Sequence, residues 1–326
     1  MAERYVAVDN VCAWPNLTRL PGGDIVATIF NQPTHGGWEG DVECWASGDG
    51  GRTWTRRGIP APHEPGTNRM NVAAGCGADG ELLVLASGWS RRNPAGVYSS
   101  PHEGEVLPIL VCRSPDGGRT WDRTGSVAAP PEPGVRLVPF GDIVRLADDT
   151  LGVCIYTTKS TTGFYTSSDN GRTWTARAPI GTGGTNETAP LVLPTGRLLA
   201  AARTLGDQHL ELFHSDDHGA SWNPAGPLTL GLQHPGHLLR LRDGRLLLTY
   251  GIRNQGLYGI GARFSPDGGA TWEPPRVLVD FQTATDGGYP ASVETEDGTL
   301  VTAYYCNAVP AHQRYHMGVL RWQAER

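Results

Sequence analysis

The sequence contains no apolar run that approaches the length of about 18 residues needed for a membrane-spanning helix. Its N-terminus, MAERYVAVDN, lacks the basic and then apolar pattern of a secretory signal. No run of lysine and arginine stands out and the net charge is −6, which argues against a nucleic-acid or anionic membrane partner. We therefore expect a soluble, cytoplasmic protein, although a processed secreted form would leave the same trace.

Cysteine is sparse, and its spacing does not suggest a metal site. The six cysteines form no C-x-x-C pair or similar motif. Several lie within apolar, strand-like stretches, such as residues 42–45 and 152–156. We expect buried free thiols, and the sequence implies no metal and no cofactor.

Glycine (44) and proline (25) are abundant, and an octapeptide recurs five times with the pattern S-x-D-x-G-x-[ST]-W. Such a composition with recurring tryptophan favours many short strands joined by tight turns. In each copy the aspartate can accept hydrogen bonds from turn amides, and the tryptophan can anchor the turn. The copies are SGDGGRTW (47–54), SPDGGRTW (114–121), SSDNGRTW (167–174), SDDHGASW (215–222) and SPDGGATW (265–272).

A second repeated pattern consists of two apolar stretches around a turn, which predicts a β-hairpin. It occurs six times, and two hairpins make a four-stranded sheet of about 50 residues, the unit of a β-propeller. Six units fill residues 1–326 as a single domain, and residues 4–11 supply the strand that completes the sixth. The turn residues are Gly23, Gly80, Asp149, Gly196, Gly244 and Gly298.

The octapeptide closely resembles the Asp-box, or BNR repeat, of the sialidase (neuraminidase) superfamily. The resemblance covers the whole chain and implies an all-β, six-bladed β-propeller with five Asp-box turns. It also implies an exo-acting glycoside hydrolase of the exo-alpha-sialidase type. In this family the boxes lie in outer turns, away from the usual site, so we expect their aspartates to be structural.

Counting from the six turn residues predicts which side chains approach the propeller axis. Nine residues before the turns stand Trp14, Asn71, Phe140, Glu187, Pro235 and Tyr289. Seven to ten residues after them stand Gln32, Trp89, Lys159, Arg203, Arg253 and Asn307. Glu187 and Tyr289 thus occupy equivalent places in different units, as do Arg203 and Arg253.

Three segments are similar to those that carry the catalytic residues of sialidases. NETAPLVLPTGRLLAAAR matches the segment of the family's glutamate and an arginine, which fall on Glu187 and Arg203. YGIRNQGLYGIGARF matches the next arginine segment, which gives Arg253, and DGGYPASVETEDG places the nucleophilic tyrosine at Tyr289. A neutral tyrosine suits a sugar whose anomeric carbon bears a carboxylate, because an acidic nucleophile would be repelled. Arginines bind such a carboxylate bidentately.

The match to the family is incomplete at two places. Ala13 stands where the family has its first arginine, and either Arg69 or Lys159 is a candidate replacement. The loop NQPTHGGWEGDVE should supply the acid, for which His35, Glu39 and Asp41 are candidates, with a slight preference for His35.

Beside the blade-five entry, His234 is a candidate for a hydrogen-bonding role at the site.

These departures leave rival functions open. The first is another exo-glycosidase or a polysaccharide lyase on the same scaffold, and the second is a propeller that binds glycans without catalysis. Every reading implies a small carbohydrate or glycoconjugate partner. The sequence does not decide the sugar or the oligomeric state.

Overall fold

The computed structural model describes residues 2–90, 104–130 and 132–324, in which every regular element is a β-strand. These residues contain no helix long and apolar enough to cross a membrane. The strands are β1 (Glu3–Asp9), β2 (Ala13–Arg19), β3 (Ile25–Phe30), β4 (Val42–Ser47), β5 (Thr55–Ala61), β6 (Asn71–Cys76), β7 (Leu82–Ser87), β8 (Leu110–Ser114), β9 (Ser126–Val127), β10 (Leu137–Arg145), β11 (Leu151–Thr157), β12 (Thr162–Ser167), β13 (Thr173–Ile180), β14 (Thr185–Val192), β15 (Leu198–Thr204), β16 (Leu210–Ser215), β17 (Asn223–Pro227), β18 (Gln233–Arg240), β19 (Leu246–Asn254), β20 (Leu257–Ser265), β21 (Arg276–Asp280), β22 (Gly287–Glu294), β23 (Leu300–Cys306) and β24 (His316–Trp322).

The strands form four sheets of four and one sheet of eight. The first strands of the successive units contact one another in a closed ring, in the order β2, β6, β10, β14, β18, β22 and back to β2. Apolar clusters lie between neighbouring sheets; one contains Phe164 and Phe213, each from a different sheet. The fold is therefore all-β and propeller-like, as the repeats predicted.

The six predicted hairpin turns are present at the predicted residues. All six turn residues have positive φ, from 65° at Asp149 to 94° at Gly244. The amide of Gly23 donates to the carbonyl of Leu20 at 2.9 Å, and the other five turns have the same bond. Five of the six positions are glycine because a left-handed backbone is costly for most other residues.

The eight-stranded sheet differs from the six separate four-stranded sheets predicted. Its order is β8-β7-β6-β10-β11-β12-β13-β9, because β6 and β10 pair in parallel where two separate sheets were expected. Gly75 lies opposite Ile143 in this pairing, and a Cβ added to Gly75 would lie 2.3 Å from the Ile143 carbonyl oxygen. The missing side chain thus lets two inner strands approach closely enough to form hydrogen bonds.

The five octapeptides form the same hydrogen-bonded turn. In the third, the Ser167 hydroxyl donates to Asp169 at 2.7 Å, while the Thr173 amide and hydroxyl donate to the same carboxylate at 2.9 and 2.6 Å. The Gly171 amide donates to Ser167, and the buried Trp174 indole donates to the Gly171 carbonyl. The aspartates therefore organise their own turns, as expected.

The N-terminal strand completes the last sheet, whose order is β1-β24-β23-β22. Strand β1 pairs antiparallel with β24 from Glu3 opposite Arg321 to Asp9 opposite His316. This confirms the closing strand predicted at residues 4–11, and it covers an edge that would otherwise offer unpaired backbone groups. The six cysteines are free, and all except Cys76 are buried, as predicted.

Candidate active site

A cavity of about 260 Å³ opens where the inner strands converge. Each of the six inner strands supplies at least one wall residue, most of them near the start of the strand, so the site is built from all parts of the chain. Five of the six residues predicted nine positions before the turns line it; in the fifth unit Gly236 and His237 do so, and Pro235 does not. The inner strands contribute Trp14, Asn71, Phe140, Glu187, His237 and Tyr289.

Tyr289 and Glu187 meet in the cavity wall. The Tyr289 hydroxyl donates a hydrogen bond to Glu187 Oε1, and Glu187 is only 7% exposed. Tyr289 has φ of +50° at a point where the register of β22 against β23 shifts, so the strand is locally strained to present this side chain. Burial, and then the charge of Glu187, raise the pKa of Tyr289 well above its ordinary value. The phenol is therefore neutral and already hydrogen-bonded to a carboxylate.

Arg203 lies on the other side of Glu187. Its Nη1 donates to Glu187 Oε2 at 2.6 Å, so the carboxylate bridges a phenol and a guanidinium. Burial, the largest influence, lowers the pKa of Arg203, but the charge of Glu187 and the hydrogen bond that Arg203 donates to it outweigh burial and raise this pKa above its ordinary value. The Nε atom of Arg203 is buried without a hydrogen-bond partner.

Arg253 packs beside the nucleophile candidate. Its guanidinium carbon lies 5.6 Å from the centre of the Tyr289 ring, and its Nη2 donates to the Gly287 carbonyl at 3.3 Å. Its Nη1 lies 3.1 Å from Nδ1 of His234, whose Nε2 lies 3.0 Å from Gln208 Oε1. Burial and the charges of the two arginines lower the pKa of His234 to about 2. A neutral His234 therefore accepts a hydrogen bond from Arg253. His234 itself does not line the cavity, and its role in binding a substrate stays a prediction.

The two cations expected to replace the arginine missing at Ala13 lie elsewhere. Arg69 is buried, donates to the Pro108 carbonyl at 2.7 Å and pairs with Glu64. Lys159 is exposed and pairs with Glu132. Neither lines the cavity, which corrects both expectations. A residue's position near a strand end did not determine the direction of its side chain.

Of the three acid candidates, only His35 lines the cavity. Its Nδ1 lies 2.8 Å from Asp286 Oδ2, and its ring meets the Trp14 indole edge-on at 4.8 Å. Asp41 instead accepts a hydrogen bond from the His63 amide at 2.8 Å and lies 2.6 Å from His63 Nδ1. Glu39 lies 3.8 Å from the same imidazole. The cavity geometry therefore favours His35 among the three candidates.

Comparisons with known proteins agree with this architecture. Residues 23–302 match the model of the BNR repeat-like domain. The chain belongs to this family, within the sialidase superfamily.

Individual relatives of this BNR repeat-like domain include a sialidase from Micromonospora viridifaciens, 27% identical over 88% of this chain and 51% of that protein. A structure of a Dyadobacter fermentans protein of unknown function has a TM-score of 0.81 and 25% identity, and covers 99% of this chain and 98% of its own. The structure of Trypanosoma rangeli sialidase in complex with the inhibitor DANA has a TM-score of 0.71 and 16% identity, and the match covers 97% of this chain and 55% of that one. The chain thus spans about half the length of these two sialidases.

Sequence reasoning missed Asp286 and gave Trp14 no role beyond a place near the axis. Trp14, predicted only as a residue near the axis, lines the cavity wall beside the buried Ala13. Both residues have positive φ, which is 47° at Ala13 and 44° at Trp14. Asp286 accepts hydrogen bonds from the hydroxyls of Tyr305 at 2.6 Å and Tyr315 at 2.7 Å. Burial raises the pKa of Asp286, but the hydrogen bond and charge of His35 and the two phenols lower it to about 2. Its place three residues before Tyr289 was the available signal.

Proposed function

We propose that this chain is an exo-acting glycoside hydrolase that releases a terminal acidic sugar, with Tyr289 as nucleophile and Glu187 as its base. The observation that supports this most is the hydrogen bond from Tyr289 to Glu187 in the wall of the central cavity. A phenol in a structural role does not need a buried carboxylate as its acceptor, whereas a nucleophilic phenol needs one to take its proton.

The proposed reaction has two steps and retains configuration. In the first, Tyr289 oxygen attacks the anomeric carbon while its proton moves to Glu187, and the bond to the aglycone breaks as His35 protonates the departing oxygen. In the second, water attacks the same carbon, His35 takes the water proton, and the bond to Tyr289 breaks with return of the proton from Glu187. His35 is assigned here because it lines the cavity, whereas Glu39 and Asp41 contact His63.

Two arginines favour an acidic sugar. Arg203 donates to Glu187 at 2.6 Å, and the guanidinium carbon of Arg253 lies 5.6 Å from the centre of the Tyr289 ring. Both cations therefore lie near the phenol, although only Arg203 lines the cavity. Each hydrogen bond to a carboxylate contributes about 1.5–3 kcal/mol, and the absence of the family's first arginine at Ala13 therefore weakens carboxylate binding about ten- to a hundredfold. Within the described residues, neither Arg69 nor Lys159 restores it.

The indole of Trp14 beside Ala13 favours a second candidate, an exo-glycosidase or a polysaccharide lyase for a different sugar. An aromatic wall binds the apolar face of a sugar ring and contributes no charge for a carboxylate.

We also propose that the fold is a six-bladed propeller. The closed contact ring of six inner strands supports this count, with the eight-stranded sheet counted as two blades joined through β6 and β10. Six blades place Glu187 and Tyr289 two blades apart, so that they face each other across part of the axis.

The test is a panel of sialyl, uronyl and neutral aryl glycosides, assayed with wild type, Tyr289→Phe and a matched Tyr165→Phe control. Tyr165 is also buried but does not line the cavity. We expect Tyr289→Phe to lower turnover at least about a hundredfold and the control to match wild type. Equal turnover in all three proteins would overturn the Tyr–Glu assignment.

The two arginine variants then identify the sugar. Arg203→Ala and Arg253→Ala should raise KM for an acidic glycoside much more than for a neutral one. Efficient cleavage of a neutral glycoside by both variants would favour the second candidate. Binding of sugars without cleavage of any glycoside would favour a glycan-binding propeller.

A further inference from the structure

Three side chains that could bind a metal ion converge at the edge of the cavity. Cys12 lies between β1 and β2, His35 in the loop after β3, and Asp286 just before β22. Their sulfur, nitrogen and oxygen ligand atoms all lie within 4.8 Å of one another. No sequence motif could predict this cluster, because His35 and Asp286 are 251 residues apart in the chain.

The chemistry of these ligands selects the ion. Thiolate, imidazole and carboxylate together suit Zn²⁺, whereas Ca²⁺ and Mg²⁺ prefer oxygen ligands alone. One thiolate and one carboxylate also neutralise the two charges of Zn²⁺, which suits a partly buried position. We propose that Cys12, His35 and Asp286 form a Zn²⁺-binding site with a fourth position open to water.

The surroundings hold two of the ligands in place before an ion arrives. The Tyr305 and Tyr315 hydroxyls donate to Asp286, the kind of outer contact that orients metal ligands. The backbone amide of Cys12 donates to the Gln32 carbonyl at 2.7 Å. The Cys12 side chain is fully buried, and its pKa is raised, first by burial and then by the charge of Asp286. Zinc must therefore displace the thiol proton to solvent as the sulfur–zinc bond forms.

His35 supplies one part of the necessary adjustment. Its Nδ1 lies 2.8 Å from Asp286 Oδ2, whereas two ligands at about 2.1 Å from a tetrahedral ion stand roughly 3.4 Å apart. The ring must therefore move outward by roughly half an ångström, and its 43% exposed side chain has room to do so. A His35 bound to zinc through Nδ1 cannot form the imidazolium that the proposed hydrolysis uses as its acid. Zinc therefore also inhibits that hydrolysis, a consequence that rests on the proposed function.

The experiment uses untagged, reduced protein and does not depend on enzymatic activity. Zn²⁺ binding is measured by competition with a chromophoric chelator, and Co²⁺ is used as a coloured substitute whose thiolate bond gives a charge-transfer absorption. We expect one equivalent to bind to wild type with that absorption. Cys12→Ser should lose the absorption and bind at least about tenfold more weakly, and His35→Ala should also weaken binding.

The matched control is Cys306→Ser, because Cys306 is a buried cysteine whose sulfur lies 3.2 Å from His316 Nε2. It should leave binding and absorption unchanged. Thermal melting in the presence of a chelator checks that each variant folds. If Cys12→Ser does not fold, His35→Ala gives an independent test, because His35 is exposed. No stoichiometric binding by wild type, or unchanged absorption in Cys12→Ser, would overturn the zinc site; neither result bears on Tyr289 and Glu187.

Discussion

Glu187→Gln separates the chemical role of the carboxylate from its structural role. Glutamine keeps the shape and can still accept a hydrogen bond from Arg203, with its amide facing the Tyr289 oxygen. The amide then donates to the Tyr289 oxygen in a neutral hydrogen bond, and the bond from Arg203 keeps the charge of only one partner. If each bond weakens by about 1–1.5 kcal/mol, the free energy of unfolding falls by about 2–3 kcal/mol. The phenol also loses its proton acceptor, and turnover should fall at least about a hundredfold, equivalent to about 2.7 kcal/mol in the activation barrier.

Two assays measure these effects on the same protein. Urea unfolding gives the free energy of unfolding, and initial rates on the best glycoside of the panel give turnover. The control is Glu211→Gln, since Glu211 is another partly buried carboxylate, 3.0 Å from His209 Nε2, that does not line the cavity. It should keep turnover within about twofold. Turnover of Glu187→Gln close to wild type, in a protein that folds, would refute the assignment of the base.

Three further outcomes are expected. His35→Ala should lose activity on glycosides with alkyl leaving groups but keep much of it on nitrophenyl ones, which need little protonation; equal losses on both would exclude His35 as the acid. Asp169→Asn should lower the free energy of unfolding by about 1–2 kcal/mol at pH 7, measured by urea unfolding. Burial raises the pKa of Asp169, but four hydrogen bonds outweigh it and lower this pKa to about 2. The contribution of Asp169 is therefore present above about pH 4 and disappears as the pH falls through 2, so the two proteins should have the same stability there. Gly75→Ala should lower the free energy of unfolding by about 1–3 kcal/mol through its clash with Ile143, and an unchanged midpoint would mean that β6 and β10 are not in close contact.

Much of the site could be predicted because repeated turns align equivalent positions. Counting nine residues back from a turn places a side chain at the same depth in each unit. This count alone identified Trp14, Glu187 and Tyr289 as residues near the axis, and all three line the cavity. The count depends only on strand geometry, since successive residues advance by a nearly constant distance along a strand.

Side chains near strand ends were harder to place. Arg69 precedes β6, where local contacts with Glu64 and the Pro108 carbonyl turn its guanidinium away from the cavity. The cluster of Cys12 with Asp286 lies beyond sequence reasoning for another reason. It depends on where two loops from opposite ends of the chain come together, which no local pattern encodes.

The pairing of β1 with β24 has a consequence for how the protein is made. Ribosomes add about 5–20 residues per second, so His316–Trp322 emerge roughly a quarter of a minute to a minute after Glu3–Asp9. During that interval the first strand has no partner, and the ring cannot close until His316–Trp322 have been made. The growing chain therefore displays a free strand throughout this interval, which makes it the period when nascent chains are most exposed to pairing with one another.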